Sequence, residues 1–206
     1  MNKDIIITLY NKGLRSYIEV DLCVSCPRQD DKGCCGYYSP VFYPLDIAYL
    51  YVNHPEVMEQ VWAMEHITVL DASVTINSPP EHSGYHCRFH SKEAGCVLPQ
   101  TSRESVCRQF VCTGVDWQQE EALTPWKEFF QALEDYEIQL NSSISEQLRQ
   151  KGLSLRDKTQ RPLFINALIE LYHQAITVMP YFIYTVPSRQ SAKLYRPITF
   201  KEEWIL

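Results

Sequence analysis

The chain has 206 residues, 45 % hydrophobic and 12 % aromatic, with a formal net charge of −6. That length buries a sizeable core without cross-links, so small size does not account for its eight cysteines. The acidic balance, without a Lys/Arg run, argues against a dedicated nucleic-acid binder, which needs a basic patch to neutralise phosphates.

The opening segment, residues 1–10, carries too short an apolar run for a signal peptide and no small-residue cleavage site. No stretch has the length of a transmembrane helix, so no membrane role is expected. The expected location is cytoplasmic, where thiols stay reduced and clustered cysteines read as metal ligands or catalytic thiols before disulfides.

Taken in chain order, residues 5–9 and 17–22 are short β-rich apolar runs. The spacing of Leu45, Ala48, Tyr49 and Val52 predicts a helix. Asn53 and Pro55 end it and open a second, from Glu56 to Met64. Residues 67–77 are rich in β-branched side chains and read as strand, and Ser78-Pro79-Pro80 breaks it. A short helix over 102–110 carries Cys107. Thr124 as N-cap and Pro125 at the first helical position open a long helix, with an apolar stripe from Trp126 to Leu148 and a stop at Gly152. A second long helix is expected from Pro162 to Met179. The tail, Tyr181 to Leu206, reads as an extended wrap over the surface. The expected fold is α+β: a small irregular Cys-rich core over residues 1–118, then two long helices and a tail over 119–206.

The cysteines fall in two clusters. Cys23, Cys26, Cys34 and Cys35 form the first; Cys87, Cys96, Cys107 and Cys112 form the second. Cys23-Val24-Ser25-Cys26 lets two sulfurs reach one metal from a single turn. Pro27 and the polar run after it argue against the helix that a thioredoxin-like redox pair needs. Adjacent Cys34 and Cys35 point to opposite sides of an extended chain, so they supply two neighbouring centres, or one ligates while the other packs. The second cluster is neither a zinc ribbon nor a ferredoxin pattern. Arg88, Arg103 and Arg108 lie beside its cysteines, where guanidiniums would lower thiol pKa values and offset thiolate charge; the alternative is that they are ordinary surface arginines. His82, His86 and His90 flank Cys87 and are alternative ligands. No P-loop, dinucleotide fingerprint, zinc-protease or serine-hydrolase motif is present.

The order Cys23-x2-Cys26, Cys34-Cys35, Tyr43-Pro44-Leu45-Asp46-Ile47-Ala48-Tyr49-Leu50, Cys87-Arg88-Phe89, Gly95-Cys96 and Arg103-Glu104-Ser105-Val106-Cys107-Arg108 resembles the cysteine-cluster family described as a putative zinc- or iron-chelating domain. A flagellin lysine N-methylase is related to that family. The resemblance covers about residues 20–115. It departs from the family in an expanded loop between Cys26 and Cys34 and in Glu104, which stands where the family has proline. It implies that all eight cysteines bind zinc or an iron–sulfur centre. Two further readings stay open: an iron–sulfur enzyme, with protein lysine methyl transfer or redox chemistry, and a zinc-stapled module that binds a protein partner. Structural disulfides are the remaining alternative.

Overall fold

The computed structural model describes residues 2–22, 38–77, 87–91 and 95–197. Cys23, Cys26, Cys34, Cys35, His82 and His86 lie outside the described residues. The chain is α+β, as composition and periodicity predict.

Alternation builds the first sheet. In β1 (Asn2–Tyr10) Ile5, Ile7 and Leu9 are buried, while Asp4 and Ile6 face outward. β2 (Tyr17–Val20) returns antiparallel with Ile18 and Val20 inward, in the register Leu9↔Ile18. The connection turns at Gly13, whose φ of 62° suits glycine; a Cβ there would also lie 3.1 Å from the Met179 methyl.

β3 (Val41–Phe42) leads into α1 (Pro44–Asn53). Pro44 occupies the first helical position, and the Asp46 carboxylate accepts the Tyr43 N–H at 3.1 Å. Asn141, far along the chain, accepts the orphan Leu45 N–H at 2.9 Å. His54 and Pro55 break the helix and start α2 (Pro55–Trp62). The β-branched run that reads as one strand is a hairpin. β4 (Ile67–Val69) and β5 (Val74–Ile76) pair antiparallel around a turn in which the Leu70 N–H donates to the Ser73 carbonyl. β3 adds to β5 on its other edge.

A two-residue ladder follows, β6 (His90–Ser91) against β7 (Gly95–Cys96), and then the short α3 (Ser105–Gln109). α4 (Thr124–Gln150) turns Trp126, Phe129, Phe130, Leu133, Ile144 and Leu148 inward. It ends in a left-handed Gly152 (φ 69°), with the Leu153 N–H returning to the Leu148 carbonyl. α5 (Arg161–Thr177) buries Phe164, Ile165, Leu168, Leu171 and Tyr172.

The tail differs from its expected surface wrap. After a single helical turn, Tyr181–Tyr184, it becomes β8 (Arg189–Pro197), paired antiparallel with all of β1 from Tyr10↔Arg189 to Asn2↔Pro197. The sheet order is therefore β2-β1-β8, with β1 in the centre. Before the strand, Asn11 donates to the Ile183 and Val186 carbonyls and fixes the approach. One apolar core runs from Ile5 through Phe42, Phe89, Trp126 and Phe164 to Leu194. Fully burying such side chains contributes about 1.5–3 kcal/mol each. Among the described residues no helix is long and apolar enough to cross a membrane.

Candidate metal centre

The second cysteine cluster sits on the β6–β7 hairpin, on α3 and just beyond it. Cys87 opens a turn in which its carbonyl accepts the His90 N–H at 2.9 Å. Cys96 ends β7 opposite His90, and the Val97 N–H donates to the Phe89 carbonyl at 2.8 Å. Phe89 anchors the hairpin: it is 1 % exposed and meets Phe42 edge-on at 6.1 Å. Cys107 lies in the first turn of α3. Cys112 precedes the turn Thr113–Val115, and its carbonyl accepts the Val115 N–H. Cys87, Cys96 and Cys112 pack against the margin of the core, and all four residues are half-buried. No disulfide joins these four to one another.

The Cys87 and Cys96 thiols come within electrostatic reach of Cys107. Burial pushes the Cys107 thiol well above its ordinary value. The Glu104 carboxylate, to which it is hydrogen-bonded, and the Cys87 and Cys96 thiols push the same way. Burial likewise raises the Tyr38 phenol, with Glu104 and Cys107 contributing, so Tyr38 borders the same group. Among the described residues, no set of three His, Cys, Asp or Glu side chains is gathered so that it could hold a metal ion by itself. His90 lies on β6 opposite Cys96.

The arginines do something different from what their sequence positions suggest. Arg88 is exposed. Arg108 is fully buried, and backbone carbonyls and a carboxylate take its guanidinium. It donates to the Ser16 carbonyl at 2.7 Å, to Glu137 at 2.6 Å and to the Arg103 carbonyl at 3.2 Å. Arg103 donates to the Leu98 carbonyl at 3.0 Å and to the Cys96 carbonyl at 3.4 Å. These groups hold backbone and, for Arg108, the Glu137 carboxylate, and the Cys107 thiol pKa is raised rather than lowered.

Sequence reasoning missed four residues around the centre. Arg15 is 6 % exposed and donates to Asp46 at 2.7 Å, to the Thr101 carbonyl at 2.8 Å and to the Arg103 carbonyl at 2.5 Å, with its guanidinium 4.5 Å from the Tyr49 ring centroid. Burial and the nearby Arg108 charge lower the Arg15 pKa, while Asp46 and Glu137 oppose them. Glu137 also accepts from the Ser105 hydroxyl at 2.5 Å. Glu104 is 1 % exposed and caps α3, accepting the Cys107 and Val106 N–H groups at 2.7 and 3.0 Å. Burial raises its carboxyl pKa, against the hydrogen bonds from Cys107. The one sequence signal for Glu104 is its position: an acceptor three residues before Cys107, at the start of a short helix.

The cleft of about 440 Å³ beside the end of α4 is lined by residues such as Asp71, Ser145, Glu146 and Arg149 and includes no cysteine. No family model, no curated protein and no solved structure matches the chain.

Proposed function

We propose that the protein is a cysteine-rich metal-binding protein that holds zinc or an iron–sulfur centre through thiolates. The reading rests on one observation above all: a two-residue ladder and a helix start, separate in sequence, place Cys107 within electrostatic reach of both Cys87 and Cys96. Grouped thiols repel once ionised, and a soft cation relieves that repulsion. The donor chemistry fits zinc or iron–sulfur, and both accept four thiolates. Three thiols are not a full sphere. Cys23, Cys26, Cys34, Cys35 and Cys112 are the further candidate ligands, and Cys23-x2-Cys26 has chelate spacing. The ordered resemblance to the zinc- or iron-chelating cysteine-cluster family supports the same reading.

Bound metal would supply either a closed structural charge or redox capacity. The chain's own residues set the frame. Phe89 seats the hairpin, Glu104 orients the Cys107 turn, and Arg103 fixes the Cys96 carbonyl.

Anaerobic purification followed by elemental analysis and visible spectroscopy tests the proposal. A brown protein with sulfide-linked absorption identifies iron–sulfur, and a colourless one with stoichiometric zinc identifies zinc. A metal-free protein with its eight thiols oxidised would sink it. Cys23→Ser should lower metal content, and full retention would remove Cys23 from the ligand set.

A further inference from the structure

We infer that the fold stands without its metal: the cysteine-bearing segment is clamped from behind by a buried arginine frame, so metal enters and leaves as a local event at the outer edge. The inference rests on the metal-binding reading above and adds how that site is built and regulated.

The keystone is the Arg103 backbone carbonyl. It accepts from Arg15 at 2.5 Å and from Arg108 at 3.2 Å. Each of these guanidiniums is anchored to a carboxylate on a different helix, Arg15 to Asp46 of α1 and Arg108 to Glu137 of α4. Between them they tie the segment that separates Cys96 from Cys107 to α1, to α4 and to the β1–β2 turn. The Arg103 side chain completes the clamp by reaching back to the Leu98 and Cys96 carbonyls. Held this way, the Cys96, Leu98, Thr101 and Arg103 carbonyls have hydrogen-bond donors from the protein's own side chains.

The position of the thiols points the same way. Small metallo-domains collapse without metal because their ligands stand where a core would be. Here the core runs from Ile5 to Leu194, and Cys87, Cys96 and Cys112 only pack against its margin. The residues that enter the core beside them are Phe89, Leu98 and Arg108.

The test uses the full chain, stripped anaerobically with EDTA and reductant, confirmed metal-free by elemental analysis, and then reloaded with Zn²⁺. The stripped protein should keep a single cooperative melt and slow amide exchange in β1, β8 and α4, with any loosening confined to the cysteine segments. Loss of the cooperative melt, with those amides exchanging at unfolded rates, would overturn the inference. Arg103→Gln should weaken Zn²⁺ affinity about 10–100-fold, the effect expected when support behind a ligand is removed, while α4 protection in the stripped state is unchanged. Unchanged affinity in that variant would also overturn it. A wild-type chain that takes up no Zn²⁺ in calorimetry and carries no iron as purified overturns the metal reading itself. Uptake followed by collapse on stripping overturns only the inference drawn here.

Discussion

Arg108 and Glu137 form an ion pair of 2.6 Å, with side chains 0 % and 5 % exposed, that bolts the helix carrying Cys107 to the long helix α4. The pair has further partners: Ser16 and Arg103 carbonyls take the rest of the guanidinium, and Ser105 donates to the carboxylate. Removing one member leaves a buried charge with no counterion. Glu137→Ala should therefore cost about 3–5 kcal/mol of stability in urea denaturation. Arg108→Met with Glu137→Leu should recover most of that loss, because the desolvation cost leaves together with the attraction. A double variant as unstable as the single one would show that the pair contributes more than it costs to bury.

Glu104→Ala should destabilise the protein by about 0.5–2 kcal/mol, the usual cost of a lost helix cap, because the Val106 and Cys107 N–H groups lose their acceptor. Glu104→Asp should recover part of it. Thermal melts of the three proteins, compared in the metal-free state, decide the matter.

Phe89→Ala should cost about 3–5 kcal/mol, as for a large aromatic deleted from a packed core. It should also lower metal content, because the hairpin that presents Cys87 and Cys96 loses its anchor. Equilibrium denaturation and metal analysis of one preparation separate the two effects.

Cys107→Ser should shift the stability of the metal-free protein by less than about 1 kcal/mol, since the residue is half-buried and the serine hydroxyl can still donate to Glu104. The same variant should lose metal on purification. A stable Cys107→Ser protein with full metal content would exclude Cys107 from the ligand set.

Leu194→Ala should cost about 2–5 kcal/mol, although it lies in a tail whose sequence reads as an extended surface wrap. Hydrogen exchange should show the loss first in β1 and β8.

How much of the fold is legible in the sequence depends on the range of each interaction. The break between α1 and α2 is written locally, in Asn53 and Pro55. The inward face of α4 is written in the spacing of Trp126, Phe129, Phe130 and Leu133. β8 could not be read that way, because its partner, β1, lies at the other end of the chain and register across that distance leaves no local trace. The hairpin turn at Leu70–Ser73 escaped because β-branched residues on either side mask it. The buried arginines escaped for a third reason. Charge normally marks surface, and the partners that make burial of Arg15 and Arg108 tolerable, Asp46 and Glu137 with several backbone carbonyls, are mostly distant in sequence. Thus the thiols of the candidate site were legible by type, while the frame that holds them was not.

The placement of β1 between β2 and β8 also sets an order of events at the ribosome. An isolated two-stranded hairpin is at best marginal in water. Synthesis proceeds at roughly 5–20 residues per second, so β1 waits on the order of ten seconds or more for β8 to emerge. Throughout that interval the edge of β1 that will pair with β8 keeps its backbone N–H and C=O groups unpaired. An unpaired strand edge is a template for wrong pairing, so the emergence of β8 closes one route to aggregation for this segment.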